Sequence, residues 1–346
     1  MTEPRPFILF HNGGVGDFLM FVFLSQQLHT SNVASHVTIV VPRAGAFLRG
    51  LAEEYPYITL SEASRRDPRA LMSLVSAAFR PATALLYPTI GRIPLRLKAF
   101  AWMLTRRRGS MLAGFDDGSP MCRALYDKLL VYDKSINYAE LMRTTAAALG
   151  AAPDPSPPRL SLPVVPGLLE GYGLAGKRYV VFHPGAGMSK RRRSFEDEEA
   201  LGLIRHLLSR NPSMYIVLSG GSGTEGAWVE SLAQSVNDPR VQAASGRPAA
   251  ELGGLIRQSA CYIGGDTGVT HLACFVGARV LEVAHNASTH WLCYYCPEAV
   301  VLYRLKGEEE ARSEEDYVKQ KAPGVLRPFD RVPMGPVMAR AQELLG

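Results

Sequence analysis

YVVFHPGAGMSKRRRSFEDEEALGLIRHLL, residues 179–208, and CYIGGDTGVTHLACFVGARVLEV, residues 261–283, are two strand-turn-helix units of one design. In each, a β-branched and aromatic run typical of a buried parallel strand gives way to a Gly-rich turn, which opens into a periodic apolar helix. Between them MYIVLSGGSGTEGAWVESLA, residues 214–233, repeats the arrangement. Such a turn gathers backbone N–H groups at the positive end of a helix dipole, a natural seat for phosphate. Three of them on one sheet edge lead us to expect a nucleotide in this half of the chain.

The first half alternates in the same way. FILFHN at 7–12 is followed by GGVGD and a helix over 17–30 that is apolar nearly all round, hence buried on more than one side. HVTIVVP at 36–42, a helix ending near Tyr55, ITL at 58–60 and ALLYP at 84–88 continue the pattern of a doubly wound parallel sheet. NYAELMRTTAAALG, 137–150, closes this half. The next stretch, AAPDPSPPRLSLPVVPG, places six prolines in seventeen residues, which forbids helix and favours an extended connector. The expected organisation is an α/β chain with an N-terminal Rossmann-like domain over 1–152 and a linker over 153–167. A C-terminal Rossmann-like nucleotide-binding domain over 168–330 and an amphipathic helix over 331–346 complete it. KGEEEARSEEDYVKQK, 306–321, reads as a solvated loop or helix face.

The composition agrees. A chain of 346 residues, 47% of them hydrophobic, is too long for one ordinary core, so two domains are expected. No apolar run is long enough to span a bilayer, and MTEPRPFILFHNGG lacks the basic flank and apolar segment of a secretory signal, so a cytoplasmic location is expected. The five scattered cysteines argue against a disulfide framework. Cys293 and Cys296 form a C-x-x-C, but no second pair or nearby His pattern completes a zinc site, so they read as free thiols and no metal is expected. A net charge of +6 suits an anionic ligand or surface.

Several residues carry candidate chemistry. Asp17 follows GGVG at the expected helix start, where Asp is a favoured N-cap; no Glu or Gln stands three residues on to complete a capping box. The other reading is a carboxylate within reach of whatever fills the crevice between the two expected domains. Lys190, Arg191, Arg192 and Arg193 precede an S-x-x-D helix start at Ser194 and Asp197. Four adjacent cations repel one another unless an anion such as a diphosphate is held there, the alternative being a solvated basic loop. In GGDTGVTHLACFVG, Asp266 ends a buried strand, Thr267 and Gly268 let backbone approach a ligand, and His271 lies one turn inside the helix. A lone helical histidine is commonly a satisfied core residue; the acidic, Gly-rich turn before it favours a site. Glu225, after the GGSG turn, is placed to hold ribose hydroxyls. No turn reads G-x-G-x-x-G or G-x-x-x-x-G-K-[ST], which argues against a dehydrogenase and a P-loop ATPase.

Residues 91–114 break the pattern. Arg92, Arg96, Lys98 and Arg106 to Arg108 interleave with Leu95, Leu97, Phe100, Trp102 and Leu104, as in a segment that lies on an anionic membrane or grips an anionic acceptor. An ordinary surface helix has the same composition, and no nucleic-acid motif accompanies it.

HPGAG with its following cations, LSGG with a Glu four residues on, and DTGVTHLACFVGARV resemble the C-terminal half of glycosyltransferase family 9, the ADP-heptose:lipopolysaccharide heptosyltransferases. FILFHNGGVGDFLMFVFLSQQL resembles the family's N-terminal signature. The resemblance implies a GT-B architecture: two Rossmann-like domains facing across a cleft, donor on the second, acceptor on the first, and the last helix returning to the first domain. It implies inverting, metal-independent transfer of heptose from ADP-heptose to a lipopolysaccharide-type or other glycan acceptor. Asp17 becomes the base, with Gly14 and Gly16 beside the acceptor. Lys190, Arg191, Arg193, Glu225, Asp266, Thr267, Gly268 and His271 become donor-binding. Counted from His183 the main phosphate cation is Lys190; counted back from Phe195, which stands where the family has Trp, it is Arg193. Arg92, Arg96, Arg106 and Arg107 would meet an anionic glycolipid at the inner-membrane face, and no nucleic-acid partner is implied. A related GT-B transferase using another nucleotide sugar and a catalytically silent sugar-nucleotide or glycan-binding protein are the alternatives.

Overall fold

The structure is a computed structural model that describes residues 3–11, 13–41, 45–62, 83–86, 98–99, 102–103, 110–116, 118, 120–133, 136–186, 193–285, 289–313 and 329–346. Two compact units are present: Met1–Asp133 with Ala139–Ser156, and Lys134–Tyr138 with Pro157–Gly346. The division after Ser156 falls inside the proline-rich stretch.

The first unit holds β1 (Arg5–Phe10), α1 (Val15–Thr30), β2 (Ala34–Val41), α2 (Ala46–Glu53), β3 (Ile58–Glu62) and β4 (Thr83–Leu86). β5 (Met111–Phe115), α3 (Pro120–Leu125), β6 (Lys128–Leu130) and α4 (Tyr138–Ala148) follow, the last straddling the division. Its sheet runs β3-β2-β1-β4-β5-β6 with every pairing parallel. β1 is central, with β2 on one side and β4 on the other, so the winding reverses at its carboxyl end, where open α/β sheets take ligands. Phe18 to Leu24 of α1 are all buried, as an all-round apolar helix requires, and each contributes roughly 1.5–3 kcal/mol of transfer free energy. β5 lies in the segment whose pattern is broken. Its Gly114 is covered by the Tyr126 ring so closely that a Cβ there would approach Cε2 to 2.5 Å, which explains a glycine inside a strand.

Each half of the proline-rich stretch is strapped to its own unit. Gln27 Oε1 accepts the Asp154 N–H at 2.6 Å, and Arg143 donates to the carbonyls of Asp154 and Ser156 at 3.1 and 2.7 Å. On the other side, Arg159 donates to the Cys274 carbonyl at 3.1 Å and pairs with Glu298 at 2.7 Å.

The second unit holds α5 (Leu168–Gly171), β7 (Tyr179–His183), α6 (Asp197–Arg210), β8 (Tyr215–Gly220), α7 (Thr224–Val236), β9 (Val241–Ser245) and α8 (Ala249–Gln258). β10 (Cys261–Gly265), α9 (Gly268–Phe275), β11 (Val280–Val283), β12 (Ala299–Leu305), β13 (Arg312–Ser313), β14 (Phe329–Asp330) and α10 (Met334–Leu345) complete it. The strand order is β13-β12-β11-β10-β7-β8-β9, with β14 antiparallel on β12. β7 to β12 are parallel, and the winding reverses at β7, between β8 and β10. Val180, Phe182, Leu203, Ile204, Leu218 and Ile263 form its core, joined by Val337, Ala341 and Leu345 of α10. The last helix is therefore part of the second unit's own core. This corrects the expectation that it returns to the first domain; an amphipathic pattern reports that a helix has an apolar face, not which sheet receives it.

Candidate active site

In the first unit the site grows from the end of β1. α1 begins at Val15 with Gly14 as N-cap, so Asp17 stands at the third helical position and is not itself the cap the sequence suggested. Its Oδ2 accepts the Gly14 N–H at 2.8 Å, which fixes the carboxylate's orientation. The side chain folds back over Gly13 so closely that any Cβ there would overlap Oδ2 and Cγ. Gly13 is thus the residue that lets the carboxylate occupy this pose, while Gly16 lies in the same first turn. Beneath, His11 is buried with its ring edge-on to Phe18 and Phe21, centroids 5.7 and 5.5 Å away. Burial lowers its pKa, against the raising pull of the Asp17 carboxylate.

In the second unit three turns converge at the carboxyl ends of β7, β8 and β10, and side chains stitch them together. Glu225 Oε2 accepts the Gly221 N–H at 2.8 Å, and a Cβ on Gly221 would come to 2.6 Å of that oxygen. A Cβ on Gly185, after β7, would overlap Oε1. Glu225 therefore joins the turns after β7 and β8. Arg193 Nη1 meets Asp266 Oδ2 at 2.8 Å and joins the turns after β7 and β10, on the two sides of the reversal in winding. Asp266 is only 5% exposed, and a Cβ on Gly265 would come to 2.9 Å of the Arg193 carbonyl, so the two backbones nearly touch. His183 at the end of β7 is buried with Nδ1 2.9 Å from the Ser219 carbonyl; burial lowers its pKa against the pull of Glu225.

The helix starts after β7 and β10 differ. α6 begins at Asp197 behind Glu196, whose N–H is taken by Glu199 at 2.9 Å, so the S-x-x-D start anticipated from Ser194 moves two residues on. Its first turn carries Asp197, Glu198 and Glu199, which already answer the dipole. α9 has no acidic residue in its first turn. Thr267 caps it, its carbonyl accepting the Thr270 N–H at 3.1 Å, and the N–H groups of Gly268 and Val269 cannot be taken up within the helix. With Asp266 neutralised by Arg193, this is the helix start able to receive an anion.

His271 faces inward. It is 3% exposed, and Nδ1 lies 2.8 Å from Tyr295 Oη and 3.4 Å from Cys293 Sγ. Burial pushes the Cys293 thiol up to about 12. All five cysteines are free and buried. Among the described residues, no group of three His, Cys, Asp or Glu is arranged to hold a metal ion. Sequence reasoning missed His11, Tyr295 and Glu282, a fully buried carboxylate that accepts the Cys293 N–H at 2.8 Å. A charge inside the strand VLEV was the available signal for Glu282; Tyr295 stands outside any motif. Of the basic segment, Lys98 is buried and donates to Cys122 Sγ at 3.1 Å, so one of its cations turns inward. Lys190, Arg191, Arg192, Arg92, Arg96, Arg106, Arg107 and Arg108 lie outside the described residues.

Each unit is an open parallel α/β sheet with Gly-rich turns at its strand ends, and comparison with known proteins gives the class. Glycosyltransferase family 9 (heptosyltransferase) matches residues 101–309, more than half of the chain. The protein belongs to this family and is a glycosyltransferase of the GT-B kind. A family 9 glycosyltransferase from Veillonella parvula superimposes with a TM-score of 0.72 at 15% identity, covering 99% of this chain and 97% of that one. The E. coli ADP-heptose lps heptosyltransferase II gives 0.67 at 16% identity over 99% and 98%. The E. coli heptosyltransferase WaaC with ADP gives 0.64 at 13% identity over 86% and 92%. No curated protein sequence matches the chain.

Proposed function

We propose that the chain transfers a heptose from ADP-heptose, with inversion, to an anionic glycan acceptor of the lipopolysaccharide type. In this reading the Asp17 carboxylate takes the proton of the acceptor hydroxyl as its oxygen bonds to the anomeric carbon. The bond from that carbon to the diphosphate breaks, and the electron pair leaves with ADP. The developing diphosphate charge is met by the cations of residues 190–193 and the α9 helix start, so that no metal is called on. Arg193 serves this by holding Asp266 beside the phosphate seat, which leaves Lys190 as the direct phosphate cation. Glu225 would face the ribose. Arg92, Arg96, Arg106 and Arg107 would draw the acceptor at the cytoplasmic face of the inner membrane.

The observation that carries the reading is the fixed Asp17 carboxylate at the end of β1, lying over Gly13 and bonded to Gly14, in a chain of this family. Thermal-shift titration with ADP, UDP, GDP and their sugar conjugates tests the donor, since a ligand at 100 times its Kd stabilises the folded chain by about 2.7 kcal/mol. Selective stabilisation by ADP and ADP-heptose is expected, followed by release of ADP in the presence of acceptor. Selectivity for UDP or GDP would favour another nucleotide sugar, and donor binding without turnover a silent binding protein.

A further inference from the structure

The first turn of α9 is held by two tyrosines that the proposed chemistry leaves unused. Tyr262, in β10, places Oη 3.0 Å from Thr270 Oγ1, and Thr270 Oγ1 in turn donates to the Gly265 carbonyl. Tyr295, between β11 and β12, places Oη 2.8 Å from His271 Nδ1, with the two rings parallel to within 6°. Cys293 Sγ lies 3.4 Å from the same ring nitrogen and 3.8 Å from Oη. His271, Tyr295 and Cys293 are all buried, so each proton among them needs an acceptor inside the protein.

The acceptors at hand assign those protons. Burial pushes the Tyr295 hydroxyl well above its ordinary range and the Cys293 thiol up to about 12, so both keep their hydrogens. Among the described residues, Tyr295 Oη has two partners, His271 Nδ1 and the thiol. Sulfur is a weak acceptor and the longer contact, so the hydroxyl donates to Nδ1. Nδ1 is then the bare nitrogen of a neutral ring whose proton sits on Nε2, and the thiol completes the chain by donating to Oη. The reverse order, Nδ1–H donating to Oη, would leave the phenol proton facing only sulfur, a costly state in a buried site.

We propose that Tyr295 is a positioning residue for the donor: by holding His271 as the Nε2–H tautomer, it makes this ring a hydrogen-bond donor in the first turn of the helix that receives the diphosphate. This rests on the reading of the α9 start as the diphosphate seat. The His271 N–H is bonded to the carbonyl of Thr267, the cap of α9, at 3.3 Å, so the ring and the helix start are one piece. The tautomer matters for an anionic ligand, because an N–H attracts a phosphate oxygen and a bare ring nitrogen repels it.

Histidine-selective 15N NMR of the full chain reads the tautomer directly. The His271 signals, identified by their loss in His271→Phe, should show Nδ1 bare and Nε2 protonated; a protonated Nδ1 would overturn the proposal, and the parent's signals decide alone if Tyr295→Phe fails to fold. Calorimetry with ADP reads the consequence. Tyr295→Phe keeps the ring and loses the hydroxyl, and it should weaken ADP binding about three- to tenfold. The same change in a His271→Phe chain should weaken it no further, since Tyr295 acts through His271. A lower melting temperature with unchanged ADP affinity in Tyr295→Phe would make the contact an ordinary core hydrogen bond and refute the positioning role alone. A parent that binds no nucleoside diphosphate would refute the diphosphate seat and the positioning role with it.

Discussion

Arg193 Nη1 and Asp266 Oδ2 meet at 2.8 Å across the point where the second sheet reverses its winding. The pair makes Arg193 part of the scaffold of the loop between β10 and α9, because a carboxylate this deeply buried keeps its charge only beside a partner. Arg193→Ala should therefore destabilise the chain by about 2 kcal/mol, the partial exposure of Arg193 moderating the cost of losing the pair. Asp266→Asn in the same chain should restore part of that loss, since the two residues act as one unit. Thermal unfolding of the single and double variants measures it. Lys190→Ala, in contrast, should leave the melting temperature in place and weaken ADP binding by ten- to a hundredfold, read by calorimetry. An unchanged melting temperature in Arg193→Ala would remove the scaffold role.

Gly13 offers a test of Asp17 that leaves the carboxylate in place. A Cβ at residue 13 would overlap the Asp17 side chain, so Gly13→Ala must push the carboxylate off Gly14 or displace the turn. Turnover should fall at least tenfold with ADP affinity unchanged, and Asp17→Asn should abolish it, a general base contributing about 10²- to 10⁴-fold. Asparagine can still accept the Gly14 N–H, so its melting temperature should stay within a few degrees of the parent's. Steady-state kinetics beside thermal unfolding distinguishes the loss of a base from the loss of a helix-start contact.

The parallel strands and Gly-rich turns were legible because each rests on local pattern: YVVFH, YIVLSG and CYIGG are apolar, β-branched or aromatic, and each ends at a turn glycine or proline. Asp17, Glu225, Asp266 and Thr267 were legible as residues of the turns and helix starts that follow the strands. What they do to one another was not. Glu225 closing over Gly185, 225 − 185 = 40 positions earlier, or Arg193 reaching Asp266, 73 positions on, depends on distant parts of the chain returning to the same edge. β5 escaped notice because its Gly114 breaks the apolar run, a choice explained only by the Tyr126 ring above it. The inward turn of His271 was hidden for a similar reason, its partners Tyr295 and Cys293 standing more than twenty residues downstream.

The basic segment carries the acceptor half of the proposal. Replacing Arg106, Arg107 and Arg108 with Glu should raise the acceptor KM and reduce binding to vesicles containing anionic lipid. Both effects should fade with added salt, because exposed charges are screened within about 10 Å at 0.1 M ionic strength. Affinity for ADP should not move. Acceptor kinetics and vesicle binding equal to the parent's would make the run an ordinary solvated face.

The pH dependence of stability follows from His285. It is fully buried, accepts the Val332 N–H on Nδ1 at 3.0 Å, and packs edge-on against Phe195 with ring centroids 5.0 Å apart. Burial first, then the Arg331 charge, lower its pKa to about 4, with Glu199 pulling the other way. The unfolded chain, with an ordinary histidine near 6.5, binds more protons than the folded one between these values, so stability rises with pH through that window and is lost as pH falls from 6.5 towards 4. From pH 6.5 to 5 this one residue accounts for up to about 2 kcal/mol. Burial lowers His11 and His183 as well, so the loss has several contributors. His285→Asn can still accept the Val332 N–H but does not titrate. Its melting temperature should fall less than the parent's between pH 7 and pH 5, and identical slopes for the two proteins would show that His285 is not a source of the acid sensitivity.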